Sequence, residues 1–170
     1  MNEKRAYAAG VMHKNNFHVF GGSGSKHSSN TTEIISIFGG VEYGPELPVA
    51  VSRHAITSIN STLSILSGGN NYSPLTWYFN HETNVFSSGP SLLEGREDHG
   101  SATIVDKVTK AKIPMVTGGY GTSTVSTWGD LKSTELLING MWQSGTIQLG
   151  KKSHNIFICI RRPFINYVSI

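Results

Sequence analysis

Seven histidines, one cysteine and a scatter of arginines and tyrosines are what this 170-residue chain offers for chemistry. Three of the histidines sit close behind a basic residue, in Arg53-His54, Arg96-Glu97-Asp98-His99 and Lys152-Ser153-His154. Such a recurrence could bring His54, His99 and His154 together around a metal ion, or it could hold strand-end backbone groups in register. Ligating histidines are usually oriented by carboxylates, and no carboxylate recurs beside all three, so the structural reading is preferred. Cys159 is the lone cysteine, which excludes an intrachain disulfide and a cysteine-ligated zinc site. No G-x-S-x-G nucleophile elbow occurs. The Gly-rich stretch GGSGSKHSS, from Gly21 to Ser29, lacks phosphate-loop spacing and a following helix, so it is read as a loop. No catalytic residue, metal ligand or cofactor is expected.

Binding chemistry is better represented. Tyr72, Tyr120 and Trp128 are aromatic anchors of the kind that dominates interface energetics, and Arg96 adds a fork of donors. Trp128, in the long segment Tyr120–Lys132, equally suits a role covering its own sheet. Formal net charge is +3, with the cations dispersed rather than gathered in a basic stripe, so no nucleic-acid partner is expected. No apolar run approaches bilayer-spanning length. The opening MNEKRAYAAG lacks the apolar core of a secretory signal, which favours the cytoplasm. The three N-x-[ST] sequons, at Asn30, Asn60 and Asn71, are expected by composition and carry no information on secretion.

The elements that must position these residues are strands. Gly accounts for 19 residues, Ser plus Thr for 35, and charged residues for only 15%, against an average near 25%. That composition excludes a coiled coil or helical bundle, and the recurring apolar runs argue against disorder. The runs span four to eight residues and end in Gly, Asn, Ser or Pro, the signature of strands. Residues 54–59, 62–67, 76–79 and 84–87 are expected as four successive strands, and Asn139-Gly140 as a two-residue hairpin turn.

The runs also repeat. FHVFGGSGS, SILSGGNNY and PMVTGGYGT close on Gly21-Gly22, Gly68-Gly69 and Gly118-Gly119, at steps of 47 and 50 residues. About twenty residues beyond each pair stands Val41, Phe86 or Trp142, followed by a turn with Gly44, Gly89 or Gly145. The two outer units share TTEIISI and STELLI. A four-stranded unit cannot bury both faces alone, so units of this period are expected to stack.

On these diglycines, on Phe79 and Phe86, on Trp142 and on Arg53-His54 and Arg96…His99, the chain resembles the kelch repeat family over residues 5–155. It departs from that pattern where Phe79 and Phe86 replace Tyr and Trp and Val41 replaces Trp. The resemblance implies an all-β partial β-propeller of about three four-stranded blades, at residues 5–53, 54–96 and 97–153. Residues 154–170 are then a divergent tail or the start of a fourth blade. It implies a non-catalytic module that recognises another protein through loops on one face: residues 23–30, 70–75 and 120–132, with 45–53, 90–99 and 146–153. Too few blades for a ring would leave open faces and favour self-association. The same fold also hosts carbohydrate-acting or carbohydrate-binding proteins of mutarotase or oxidase type. For these Arg53, Arg96 and Asp98 are the candidates, although the recurring arginine of the family is usually structural and Cys159 lies outside any recurring tyrosine pattern. A truncated product without independent function is the third expectation.

Overall fold

The fold, a computed structural model, is described here for residues 1–24, 27–122 and 128–145. All its regular elements are strands, and no helix among the described residues is long and apolar enough to cross a membrane. β1 (Ala9–His13), β2 (Asn16–Phe20), β3 (Thr32–Ser36) and β4 (Val41–Tyr43) form the first antiparallel sheet in chain order. β5 (Ala55–Ser58), β6 (Leu63–Ser67), β7 (Thr76–Asn80) and β8 (Val85–Ser88) repeat that order in the second. A two-residue strand, β9 (Arg96–Glu97), leads into β10 (Gly100–Val105) and β11 (Lys112–Thr117). After β12 (Tyr120–Thr122) and β13 (Trp128–Asp130), β14 (Thr134–Ile138) and β15 (Met141–Ser144) join β10 and β11 in the third four-stranded sheet. A fourth, small sheet has the order β13-β12-β9. The segment expected as a loop over residues 120–132 therefore contains two short strands, held by pairing of Tyr120 with Glu97 and Gly121 with Arg96. Tyr120, Thr122 and Trp128 are extended-chain formers, which lets a long connection add strands of its own.

The sequence of β6 explains the layering. Successive residues of a strand point to opposite faces, yet Ile65 and Leu66 are both buried. Leu66 joins Phe20, Leu47, Val51 and Phe79 in one core cluster, and Ile65 joins Leu92, Val116, Leu137 and Trp142 in another. The middle sheet is thus covered on both faces, and the first strands β1 and β5, then β5 and β10, lie side by side. Phe79 and Phe86 are cross-strand partners with ring centroids 4.6 Å apart, and Phe20 meets Phe79 edge-on at 5.1 Å. Ile35–Val41 and Leu137–Trp142 occupy the same register positions in the other sheets.

The glycine pairs lie where one sheet touches the lead-in segment of the next. Gly22 N donates to Val51 O at 2.8 Å and Gly69 N to Arg96 O at 2.9 Å. Gly21 and Gly68 have φ of +54° and +66°, and a Cβ on either would run into those same carbonyl oxygens. Only glycine meets both conditions. His54 and His99 close the contact: each ring packs over the first glycine of the preceding pair, and His99 Nε2 is 2.9 Å from Ser67 Oγ.

The register corrects one sequence equivalence. Ala9, Ala55 and Gly100 pair with Phe20, Ser67 and Thr117 at the same place in each sheet, so Arg5, Val51 and Arg96 correspond. Arg53 stands two residues later in that frame and is not the counterpart of Arg96. Arg96 Nη2 binds Glu135 Oε1 at 2.7 Å and Ser133 Oγ at 3.0 Å, while Nη1 donates to Gly118 O at 2.8 Å. Glu135 also accepts from the backbone N–H groups of Leu93 and Glu94. Arg5 repeats every one of these contacts on Glu33, Thr31 and Gly21, with Asn2 and Glu3 supplying the N–H groups. Burial would push the Glu33 carboxyl up, but these donors outweigh it and hold it below its usual range. In the second sheet the corresponding residues are Val51 and Trp77, which join the first apolar cluster.

Arg96→Met should lower stability by about 3–5 kcal/mol, because it strands the buried Glu135 carboxylate. The double variant with Glu135→Leu should recover more than half of that loss, as measured by urea denaturation. Equal loss in both variants would contradict this account.

Candidate functional site

Chemistry-bearing side chains converge where the lead-in segments meet the loops that follow the glycine pairs. Tyr7, Arg53 and Asp98 each lie two residues ahead of a first strand, and all three have positive φ, between 52° and 60°. Arg53 N donates to Tyr7 O and Asp98 N to Arg53 O, both at 2.9 Å, so the three positions are chained through their backbones. Their side chains continue the chain. The Arg53 guanidinium carbon lies 4.5 Å above the centre of the Tyr7 ring. Its Nη1 reaches Asp98 Oδ2 at 2.6 Å and stands 3.7 Å from Glu97 Oε1. The last distance is an ion pair but no hydrogen bond.

The adjoining wall is aromatic. Tyr120 faces Glu97 across the β12–β9 pair, and the Tyr72 ring lies 5.4 Å from that of Tyr120, tilted by 51°. Tyr72 is brought there by a pinned loop. Asn70 Oδ1 accepts from Ser52 N and Ser52 Oγ, at 2.9 and 2.7 Å, and its Nδ2 donates to Ser28 Oγ at 2.7 Å. Asn71 and Tyr72 then turn through positive φ, and the Tyr72 carbonyl occupies the space a side chain at Gly95 would need. Positive φ is costly for residues with a Cβ, so this geometry is sustained by its surroundings.

Charges and burial tune these groups. Burial raises the Tyr72 hydroxyl above its ordinary value, with Glu97 and Tyr120 adding and Arg53 opposing. Burial also raises the Glu97 carboxyl; Arg53 opposes it and Asp98 adds to it. Burial works against the Arg53 cation, but Asp98, Glu97 and Tyr7 prevail and raise its value.

The expected anchors are therefore treated unequally. Tyr72 and Tyr120 are brought together. Trp128 lies on β13 opposite Thr122. Arg96 does not reach the surface: it is fully buried, with its donors engaged by Gly118, Ser133 and Glu135, so it stabilises the scaffold rather than offering a fork to a partner. Of the residues considered for sugar chemistry, Arg53 and Asp98 meet, and Arg96 stays apart. Tyr7 and Glu97 were not singled out by the sequence. Their signal was weak, because Tyr7, Arg53 and Asp98 share a frame position and a backbone conformation but no side-chain type. His154, Cys159 and the segment 146–153 lie outside the described residues.

A second cluster stands at the far end of β1. His13 and His81 stack 4.5 Å apart and nearly parallel, and His18 meets His81 edge-on at 4.9 Å. His13 and His81 border a cavity of about 410 Å³ that also touches Lys14 and Glu82, an ion pair 4.0 Å apart. His81 Nε2 is 2.8 Å from Ser64 Oγ. Among the described residues no three His, Cys, Asp or Glu are placed to hold a metal ion. Stacked imidazoles direct their lone pairs along separate parallel planes. Burial, with the charges of His18 and His13, lowers His81 to about 4, and burial alone lowers His54 to about 4.

Among the described residues, fold and site define an all-β protein of four antiparallel sheets, three of them four-stranded, carrying an aromatic and charged cluster at one end. Compared with known proteins, the chain matches no protein-family model and no curated protein.

Two outcomes are expected here. In the unfolded chain His54 and His81 titrate near 6.5, so on acidification that state takes up protons before the folded state does. Stability should be full above about pH 6.5 and fall progressively toward pH 4. Urea midpoints at pH 8 and pH 5 check this, and a flat profile would contradict burial of neutral imidazoles. Arg53→Met should raise the Glu97 carboxyl further, because it removes the opposing cation; carboxyl-carbon NMR titration reads the sign directly.

Proposed function

We propose that this chain is a run of kelch-type propeller blades and that it binds a protein partner through the end carrying Tyr7, Arg53, Tyr72, Glu97, Asp98 and Tyr120. Three features support the blade reading. The three four-stranded sheets share one strand order, their first strands adjoin, and a glycine pair marks each contact with the next sheet. In this reading the blades fall near residues 5–53, 54–96 and 97–153, and the contact surface is non-catalytic.

The convergence of Tyr72 and Tyr120 beside Arg53 carries the binding assignment. These residues come from three separate connections, and a rigid scaffold that gathers loop residues at one end is how recognition surfaces are commonly built. Tyrosine and arginine are the side chains most often responsible for interface affinity. A carbohydrate ligand is the second reading, favoured by a specific observation: two tyrosine rings stand beside two carboxylates, the pairing that stacks on and hydrogen-bonds a sugar ring. Self-association belongs to the same proposal, because Met12, Phe17 and Tyr43 are exposed on the first sheet.

The test is cross-linked capture from cell extract with wild type and the Tyr72→Ala/Tyr120→Ala double variant. Circular dichroism of both checks the fold. A protein retained by wild type and lost at least about tenfold in the double variant is the expected result. Equal capture would remove the assignment, and a saturable hit on a glycan array would transfer it to the second reading.

A further inference from the structure

We propose that the surface formed by Tyr72, Tyr120 and Glu97 takes a cationic side chain, a lysine or arginine of the bound partner. The inference rests on the partner-binding reading of this end and names the chemistry it selects.

The charge inventory of the site comes first. Among the described residues the site holds the cation Arg53 and the carboxylates Glu97 and Asp98, with Asp130 opposite Tyr120 across the β12–β13 pair. Arg53 is committed: Nη1 donates to Asp98 at 2.6 Å, and the guanidinium face lies on Tyr7. Asp98 is thereby neutralised by a direct, charge-assisted bond. Glu97, 3.7 Å from the same nitrogen, is not, and it retains acceptor capacity. The local balance is negative, with Glu97 beside the tyrosine rings.

The aromatic geometry comes second. Tyr120 is the cross-strand partner of Glu97, so their side chains leave the sheet as neighbours. The Tyr72 ring adds a second surface 5.4 Å from the first. Electron-rich tyrosine rings beside a carboxylate attract an ammonium or guanidinium group through both the ring quadrupole and the charge. Burial and Asp98 raise the Glu97 carboxyl against the opposing effect of Arg53, and an added cation would act in the same sense as Arg53 and favour the ionised form. An anionic group would meet the opposite situation: Glu97 repels it and Arg53 is already engaged. The overall charge of +3 does not oppose this, because dispersed cations are screened beyond about 8 Å at physiological salt.

The experiment titrates the ¹⁵N-labelled full chain with four probes: the N-acetyl methylamides of lysine, arginine and glutamate, and methyl glucoside. Amide shifts of Tyr72, Glu97 and Gly121 are followed. Both cationic probes should give saturable shifts, weakened about fivefold in Glu97→Gln and Tyr120→Ala and retained in Tyr120→Phe and Glu82→Gln. If Glu97→Gln fails to fold, the contrast between Tyr120→Ala and Tyr120→Phe carries the test. No saturable shift with either cation, undiminished binding in the variants, or tighter binding of the glutamate or glucoside probe would overturn the inference. Lost cation binding with retained, Tyr72/Tyr120-dependent capture removes this inference and leaves the binding face standing. Intact cation binding without capture does the reverse.

Discussion

The close approach of the first two glycine pairs to the backbone leading into the following sheet is the constraint on which everything else depends. At Gly21-Gly22 and Gly68-Gly69 two sheets exchange a backbone hydrogen bond at a point where no side chain fits. That contact sets the distance at which Phe20 and Leu66, or Ile65 and Val116, can share a core. It also fixes where the lead-in segments run. Those segments carry Tyr7, Arg53 and Asp98 in one backbone conformation, so the same contact that joins the sheets aligns the residues of the candidate site. Packing and site geometry are two results of one steric fact.

Much of this was legible in the sequence. The expected strands at 54–59, 62–67, 76–79 and 84–87 lie within a residue or so of β5 to β8, because short apolar runs bounded by turn residues have few other solutions. The glycine pairs were readable as strand ends, and the type I′ signal at Asn139-Gly140 is realised with φ of 51° and 76°. Tyr72 and Tyr120 could be named as anchors from residue type alone. Their proximity could not, because it depends on the pairing of β12 with β9 across a connection that looked like a plain loop.

The arginines show why the remainder was hidden. Arg53 and Arg96 look equivalent as the basic residue ahead of each histidine, yet strand register separates them by two positions. One lies at the mouth of the candidate site and the other inside a sheet. A sequence records residue types along a line, whereas the distinction between a buried and a half-exposed guanidinium arises from partners 39 and 45 residues away: Glu135 for one, Asp98 for the other. Residue type alone does not separate the two; the burial of Arg96 and the partial exposure of Arg53 do.

The buried Arg–Glu set of the outer sheets has a further consequence when set against Val51 and Trp77 in the middle one. Both solutions fill the same places, one with a paired, hydrogen-bonded polar network and the other with oil. No intermediate between them is comfortable, since a lone carboxylate or a lone guanidinium in that position has nowhere to place its charge. Such positions must change jointly or not at all, so the path from one repeat to another by single replacements crosses a deep trough. Units of this type are better diversified by copying a whole cassette and editing its rim than by drifting at the centre.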